Sequence, residues 1–423
     1  MTKARDGEPG LGDLARVFGR IGVLSFGGPA AQIALMHREL VARRPWLGEA
    51  DFLRALGFCM LLPGPEAMQL ATYAGWRLRG VAGGLIAGGL FVLPGAAVIA
   101  VLALGYAAYG AAPGVQAAFM GIKCAVIVIV LQALVRLGRK ALRSGADRAL
   151  AACSFLAIFA LGLPFPLILA GAALAGAVLF RNAPPAEPPA PSRHGPSMRS
   201  SLHTLLIWGG LWALPFAALL LWPAPYLWDV AVFFSKLSII TFGGAYAVLA
   251  YMTQSLVETH GWITASQMID ALGLAETTPG PLILVTQFVA MIGAGGTGQA
   301  ILAGATALWV TFVPCFLWIF LAAPYVGWLT SAPALAGALR AITAAVAGVI
   351  LNLALWFSMA ILFEATRALR LGPLSIALPD LARPDPAALA LTALAAALLL
   401  GARLPLGGAL MLMAAASFGL SAL

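Results

Sequence analysis

Four short motifs hold most of the chemistry that this sequence could do. Phe26-Gly27-Gly28 and Pro63-Gly64-Pro65 lie in the first half, Phe242-Gly243-Gly244 and Pro279-Gly280-Pro281 in the second. Glycine admits positive φ and close approach, while proline removes an amide donor and stops the helix before it. Each motif interrupts an apolar stretch. Breaking a helix there exposes backbone groups that cost several kcal/mol each unless they line a cavity or face protein. Matching breaks in both halves point to a binding site made of half-helix ends. Such ends present free N–H groups and positive potential, which suit an anion. A tight crossing of helices on small residues would use the same glycines.

The polar residues beside the breaks sharpen the anion reading. Ser25 and Thr241 occupy matching positions and can donate hydrogen bonds to an oxyanion. Glu66 follows the first Pro-Gly-Pro, and Gln69 and Thr72 share its helical face at three-residue spacing. In the second half Glu276, Thr277 and Thr278 precede the motif and Gln287 follows it. A carboxylate in apolar sequence is costly and marks a functional candidate. Glu66 and Glu276 fit either proton carriers or structural partners of arginines and open helix ends. Arg20 and its counterpart Lys236 fit either substrate attraction or snorkelling to the interface. Lys123 has the same two readings, and Arg77 and Arg79 read as topology anchors. The four histidines are scattered and the four cysteines stand singly, so neither a metal site nor a cofactor is expected.

Lipid must surround the elements that position these residues. Of 423 residues, 61% are hydrophobic and 10% charged, against about 45–50% and about 25% in soluble domains. That balance excludes soluble enzymes and, despite a net charge of +9, nucleic-acid binders. No period-two alternation suggests a membrane β-barrel, and no cleaved leader is expected. Crossing helices are expected at 81–109, 115–135, 204–222, 299–329 and 335–362, with helical hairpins at 149–180 and 387–423. Stretches 14–36, 52–76, 229–252 and 268–294 are apolar but broken, and could span or re-enter.

The halves are copies of each other. From Phe26 to Phe242 the offset is 216, and Trp46/Trp262 and Pro63/Pro279 keep it. Pro94/Pro314 and Gln132/Asn352 lie at 220, the four extra residues fitting Gly295 to Gly298. Residues 1–203 carry 19 of the 25 Lys and Arg. Connector 136–148 holds five of them, whereas the second copy's connector 253–267 has none. Cytoplasmic loops collect such residues, so the copies are expected in inverted topology, a plan common among secondary transporters. The expected fold is therefore all-α and membrane-embedded. The first repeat takes 1–180, a proline-rich basic cytoplasmic linker 181–203, a connecting helix 204–228 and the second repeat 229–423. Loop 363–386 should then be external, although it holds Arg367, Arg370 and Arg383.

In these motifs the sequence resembles the chromate ion transporter family in its long, two-domain form. The resemblance rests on SFGGPAAQIALMHRELVARRPWLGEADF and LLPGPEAMQLATY in the first copy. In the second it rests on TFGGAYAVLAYM and GWITASQMIDALGLAETTPGPLILVTQF. It implies a multi-pass exporter of chromate in the bacterial inner membrane that confers resistance, driven by protons or anion exchange, with sulfate as a structural mimic. The expected substrate site comprises Arg20, Ser25, Gly27, Gly28, Pro63, Gly64, Pro65, Gln69, Lys236, Thr241, Gly243, Gly244, Thr277, Thr278, Pro279, Gly280 and Pro281, with Glu66 and Glu276 coupling protons. Expected partners are the oxyanion, the bilayer and a second copy in a homodimer, with no nucleic acid. An uptake system for sulfate and an anion channel use the same chemistry. No catalytic cluster suggests an enzyme.

Overall fold

The computed structural model describes residues 9–180, 197–242, 244–326, 332–371 and 374–421. Gly243 and linker residues 181–196 lie outside them. The first copy runs α1 (Leu11–Leu24), α2 (Gly28–His37), α3 (Glu49–Cys59), α4 (Glu66–Tyr109), α5 (Pro113–Ala141), α6 (Gly145–Phe159) and α7 (Phe165–Leu179). A separate helix, α8 (Met198–Leu221), precedes the second copy. That copy runs α9 (Pro225–Ile240), α10 (Ala245–Met252), α11 (Ala265–Thr277), α12 (Val285–Ile292), α13 (Thr297–Ala322) and α14 (Pro333–Leu362). It closes with β1 (Thr366–Leu371), β2 (Leu374–Pro379), α15 (Pro386–Ala396) and α16 (Leu406–Ser421). The same order of helices thus occurs twice. Even the π-helical turns after α2 (Arg38–Ala42) and after α10 (Thr253–Thr259) recur.

One expectation needs correction. Helix α8 begins at Met198, inside the stretch assigned to the linker, because Met198 to His203 contain no Gly or Pro to stop the helix. The fold is all-α in class, with one small addition. Loop 363–386 contains an antiparallel β-hairpin with Thr366 opposite Pro379, and Arg367 pairs with Asp380 at 3.1 Å. The hairpin is an insertion, since α5 leads directly into α6 in the first copy. Helix α4 has two arms, as the separate stretches 52–76 and 81–109 suggest. Arg79 (φ −139°) and Gly80 (φ 63°) break it, and a Cβ built on Gly75 would lie 2.2 Å from the carbonyl oxygen of Gly83. Residues eight apart on a straight helix are about 12 Å apart along its axis. The arms 66–78 and 81–109 therefore fold back antiparallel. In the second copy α12 and α13 do the same, with Gly304 against Met291. An arm of 13 residues is about 20 Å long, short of a hydrocarbon core of about 30 Å.

By composition and length, helices Glu66–Tyr109, Pro113–Ala141, Met198–Leu221, Thr297–Tyr325 and Pro333–Leu362 are apolar enough to cross a membrane. Helix α8 shows what solvent they meet. Leu205, Leu206, Ile207, Leu214, Leu220 and Leu221 are exposed, and only Trp208 is buried. A helix apolar on every side is stable in lipid and not in water.

The chain forms two compact units that each draw on both copies. The first comprises residues up to 103, 182–244 and 278–336. In it α13 packs against α8, α9 and α12. The second comprises 104–181, 245–277 and 337–423. Here α5 packs against α11, α15 and α16, and Gly348 of α14 meets the backbone of Ala151 so closely that any side chain would collide. At one end of this unit Asp147 caps α6 through Ser144, and Arg340 grips its carboxylate at 2.8 and 2.9 Å. The Arg340 hydrogen bond first, then Ser144, outweighs burial and pulls the Asp147 carboxyl down from 3.8 to about 2. Because the folded value lies below the ordinary one, this stabilisation is complete above about pH 4 and disappears as pH falls toward about 2. Arg340→Met should cost about 1–3 kcal/mol. In melting curves from pH 6 to pH 2, Asp147→Asn should lack the acid-induced loss seen in the parent.

Candidate functional site

The broken motifs meet inside the first unit, and they meet crosswise. Helix α1 ends at Leu24, after which Gly27 (φ 84°) and Gly28 (φ 76°) turn the chain into α2. Helix α9 ends at Ile240 and the chain turns through Gly244 (φ 100°). Gly64 (φ 128°) and Gly280 (φ 89°) take the left-handed conformations that let each Pro-Gly-Pro reverse into a new helix. The Gly64 amide then donates to the Thr241 carbonyl at 2.8 Å, and the Gly280 amide donates to the Ser25 carbonyl at 3.0 Å. Both donors and both acceptors are related by the 216 offset. Each Pro-Gly-Pro is thereby pinned to the helix end of the other copy.

Packing repeats the crossing. A Cβ on Gly64 would lie 2.9 Å from Cys315 Sγ on α13, and one on Gly95 of α4 would lie 2.1 Å from the Pro279 carbonyl. Gly95 and Cys315 are themselves counterparts at offset 220. The hydroxyls that close α1 and α9 also match. Ser25 Oγ donates to the Ile21 carbonyl at 2.6 Å and Thr241 Oγ1 to the Leu237 carbonyl at 2.5 Å. Both residues are buried.

Three buried glutamines break the symmetry. Gln32 Nε2 donates to the Gly280 carbonyl at 2.6 Å, Gln69 Nε2 to the Pro63 carbonyl at 2.7 Å and Gln287 Nε2 to the Ala96 carbonyl at 3.0 Å. Their counterparts in the other copy are Val248, Val285 and Ala71. Each amide oxygen is buried with no hydrogen-bond partner among the described residues, as is the Thr311 hydroxyl. Unsatisfied buried polar atoms are rare and call for a guest, water or ion. A glutamine amide has two N–H donors and one strong acceptor; Gln32 uses both donors, on the Gly280 and Ser25 carbonyls, whereas Gln69 and Gln287 each keep one donor as well as the acceptor.

The backbone donors at the breaks are fewer than the motif suggests. Proline has none, and the Gly64 and Gly280 amides are already bonded. What remains is the first turn after each break. Helix α2 starts at Gly28 with no side-chain cap, and the arm 66–78 starts at Glu66. Glu66 is half-buried and Thr278 and Pro279 are buried.

Other expected residues lie apart from this crossing. Arg20 and Lys236 are exposed on α1 and α9, and neither bonds to a break residue among the described residues. Arg20 contributes instead to the field at Glu39, whose carboxyl sits below its usual range. Burial pushes it up, but Arg44 and Arg43, at 2.5 and 2.8 Å, outweigh that. Glu276 belongs to the second unit, buried, and accepts a hydrogen bond from Tyr246 at 2.6 Å. The Thr277 hydroxyl donates to the Leu274 carbonyl at 2.8 Å.

Sequence reasoning missed a second buried acid. In the second unit Asp270 is buried, accepts from Tyr106 Oη at 2.7 Å and lies 3.4 Å from Lys123 Nζ, which reaches Ser266 at 2.5 Å. The rule that singled out Glu66, a carboxylate in apolar sequence, applies equally to Asp270. Gln32, by contrast, stands seven residues from the break it closes, and only the fold brings it there.

A helical, multi-pass membrane protein built from two copies of one unit, with broken helices crossed between the copies, is the class these features define. The family model described as Chromate transporter matches residues 12–177 and again 228–420. The chain belongs to the chromate transporter family, a family of transporters rather than enzymes. It is 31% identical over 353 residues to the chromate transport protein of Cupriavidus metallidurans, covering 80% of each chain. It is 32% identical over 320 residues to the probable chromate transport protein of Synechococcus elongatus, covering 74% of this chain and 76% of that one. A chromate transport protein of Pseudomonas aeruginosa is 32% identical over 291 residues, 66% of each. No solved structure matches the chain.

The crossing predicts which glycines tolerate a side chain. Gly64→Ala and Gly280→Ala should each cost about 1–3 kcal/mol, since φ and space both forbid a Cβ. Gly89→Ala, in the helical arm 81–109 with nothing within 4 Å, should be near neutral. Thermal unfolding of the purified variants measures the difference.

Proposed function

We propose that this protein exports chromate across the bacterial inner membrane by secondary active transport and so confers chromate resistance. The observation that carries the reading is the reciprocal pinning of Gly64 to Thr241 and of Gly280 to Ser25, which crosses four helix breaks in one place. Three relatives named for chromate transport supply the substrate. The tetrahedral dianion is held at the crossing by the first-turn amides that follow Gly27-Gly28 and its counterpart Gly243-Gly244, and by those that follow each Pro-Gly-Pro. Ser25, Thr241, Gln69, Thr277 and Thr278 line its path. Arg20 and Lys236 raise its concentration at the two mouths, and Glu66 or Glu276 carries the coupling proton unless exchange for another anion drives the cycle.

Inverted topology gives this site its two-sided access, and α5 and α14 support it. Helix α5 ends at the connector that holds Asp147, whereas its counterpart α14 begins there, with Arg340 on Asp147. Equivalent helices of the copies thus run in opposite directions. Connector 136–148, rich in Lys and Arg, marks that end as cytoplasmic. Export is electrically downhill. A dianion leaving a cell that is negative inside gains about 4.6 kcal/mol at 100 mV.

Radiolabelled chromate flux in inverted vesicles tests the reading. Accumulation inside the vesicles against a gradient, competed by sulfate and abolished by an uncoupler, is the expected result. Flux that only equilibrates would make the protein a channel, and cells rendered more chromate-sensitive by its expression would make it an uptake system. Glu66→Gln should remove the pH dependence of flux while leaving membrane insertion intact. Gly28→Leu and Gly244→Leu should each cut flux more than tenfold, because both glycines have φ values that a leucine adopts only with strain of about 1–3 kcal/mol.

A further inference from the structure

The second unit contains a cavity of about 370 Å³ whose chemistry is opposite to that of an oxyanion site. It lies at the end remote from the Arg340–Asp147 pair, between the α6–α7 turn, the π-helical turn Thr253–Thr259 and residues 352–359 of α14. Its walls include Phe159, Thr253, Glu258, Thr259, Asn352 and Trp356, and no Lys, Arg or His. The donors on these walls are largely occupied. Thr253 Oγ1 donates to the Leu249 carbonyl at 2.9 Å and Thr259 Oγ1 to the Gln254 carbonyl at 3.1 Å. Gln254 is used at both ends. Its Nε2 donates to the Leu163 carbonyl at 3.1 Å, and its Oε1 accepts from the Phe165 amide at 3.1 Å. What faces the cavity is therefore the Glu258 carboxylate and oxygen lone pairs on Thr253, Thr259 and Asn352, with the Asn352 amide and the Trp356 indole as its remaining N–H donors. Glu258 is solvent-exposed and has neither a salt bridge nor a hydrogen bond among the described residues.

A carboxylate, spare acceptors and aromatic walls call for a cation that brings its own N–H groups. We propose that this cavity binds a primary alkylammonium, with Glu258 as its counter-ion, the Thr253, Thr259 and Asn352 oxygens accepting its N–H bonds and Trp356 covering its carbon chain. Trp faces attract such cations, and more strongly where water is excluded. The volume lies in the range of small-molecule sites, roughly 300–1,000 Å³, too large for a bare metal ion. No group of three metal-ligating side chains occurs among the described residues. The amine has two sources, a free alkylamine and the ethanolamine headgroup of a lipid. The cavity contains no cation to hold a phosphate, which favours the free amine.

Calorimetric titration of the detergent-purified protein with n-propylammonium chloride tests the site, at pH 7 and constant ionic strength. 1-Propanol and sodium chloride are the controls. Saturable binding of the amine is expected, with no saturation by either control. Glu258→Gln should weaken binding about tenfold or more and Trp356→Leu about threefold, while Glu258→Asp keeps most of it. If Glu258→Gln lowers the melting temperature, Asn352→Asp decides. A second carboxylate on the wall should tighten binding several-fold. Equal binding of propanol, or affinities unmoved by Glu258→Gln and Asn352→Asp, would overturn the assignment. Repeating the titration in nanodiscs separates the sources. Weaker apparent binding in phosphatidylethanolamine than in phosphatidylcholine assigns the site to the lipid headgroup, and equal binding assigns it to a free amine.

Discussion

A backbone amide buried in a lipid-embedded protein must find a partner within the protein, and in this chain that requirement falls on four helix breaks at once. The solution is mutual. Gly64 and Gly280 each donate to the carbonyl at the other copy's helix end, at Thr241 and Ser25. Neither half could satisfy its own break this way, because the carbonyl that accepts belongs to its counterpart. Leaving such groups unmet would cost several kcal/mol each, so the two copies are held together at their own helix breaks. Ser25 and Thr241 add a second layer, their hydroxyls closing the last turns of α1 and α9.

Close approach at the crossing depends on residues without bulk. Gly75 and Gly83 let the arms of α4 fold back on each other, and Gly95 lets the longer arm touch the carbonyl of Pro279. In lipid there is little hydrophobic drive between helices, so contact distance and hydrogen bonding decide association. The small residues thus do what a hydrophobic core does in a soluble protein. Near these contacts the buried amide oxygens of Gln32, Gln69 and Gln287 have no hydrogen-bond partner among the described residues.

Buried charge is arranged differently. In the second unit Asp147 and Asp270 each meet a cation and at least one hydroxyl, although Asp270 Oδ1, 3.4 Å from Lys123 Nζ, has no hydrogen bond among the described residues. Such pairs can hold a register between helices even when they add little net stability. Arg340 and Asp147 join parts of both copies, and Lys123 and Asp270 do likewise. Glu258 is unlike them. It faces a cavity without a cation, which is why the second unit, in a family that handles anions, offers a place for a positive guest.

By itself the sequence determined the class, the duplication and the positions of the breaks. Lipid tolerates only long apolar helices, proline and glycine interrupt them wherever they occur, and a repeat held at an offset of 216 is visible without any fold. It also placed the hairpins α6–α7 and α15–α16 through the proline-containing breaks between them. Only the tertiary structure decided what those breaks do for one another. The partner of Gly64 lies 177 residues away, and no local pattern relates an amide to a distant carbonyl. For the same reason Gln32 and Asp270 escaped a linear reading. The interruption between stretches 52–76 and 81–109 was legible, but only the fold shows that Arg79-Gly80 turns the two arms back against each other. The donors left to a substrate were likewise set by packing, since an amide's availability depends on what the rest of the chain brings against it.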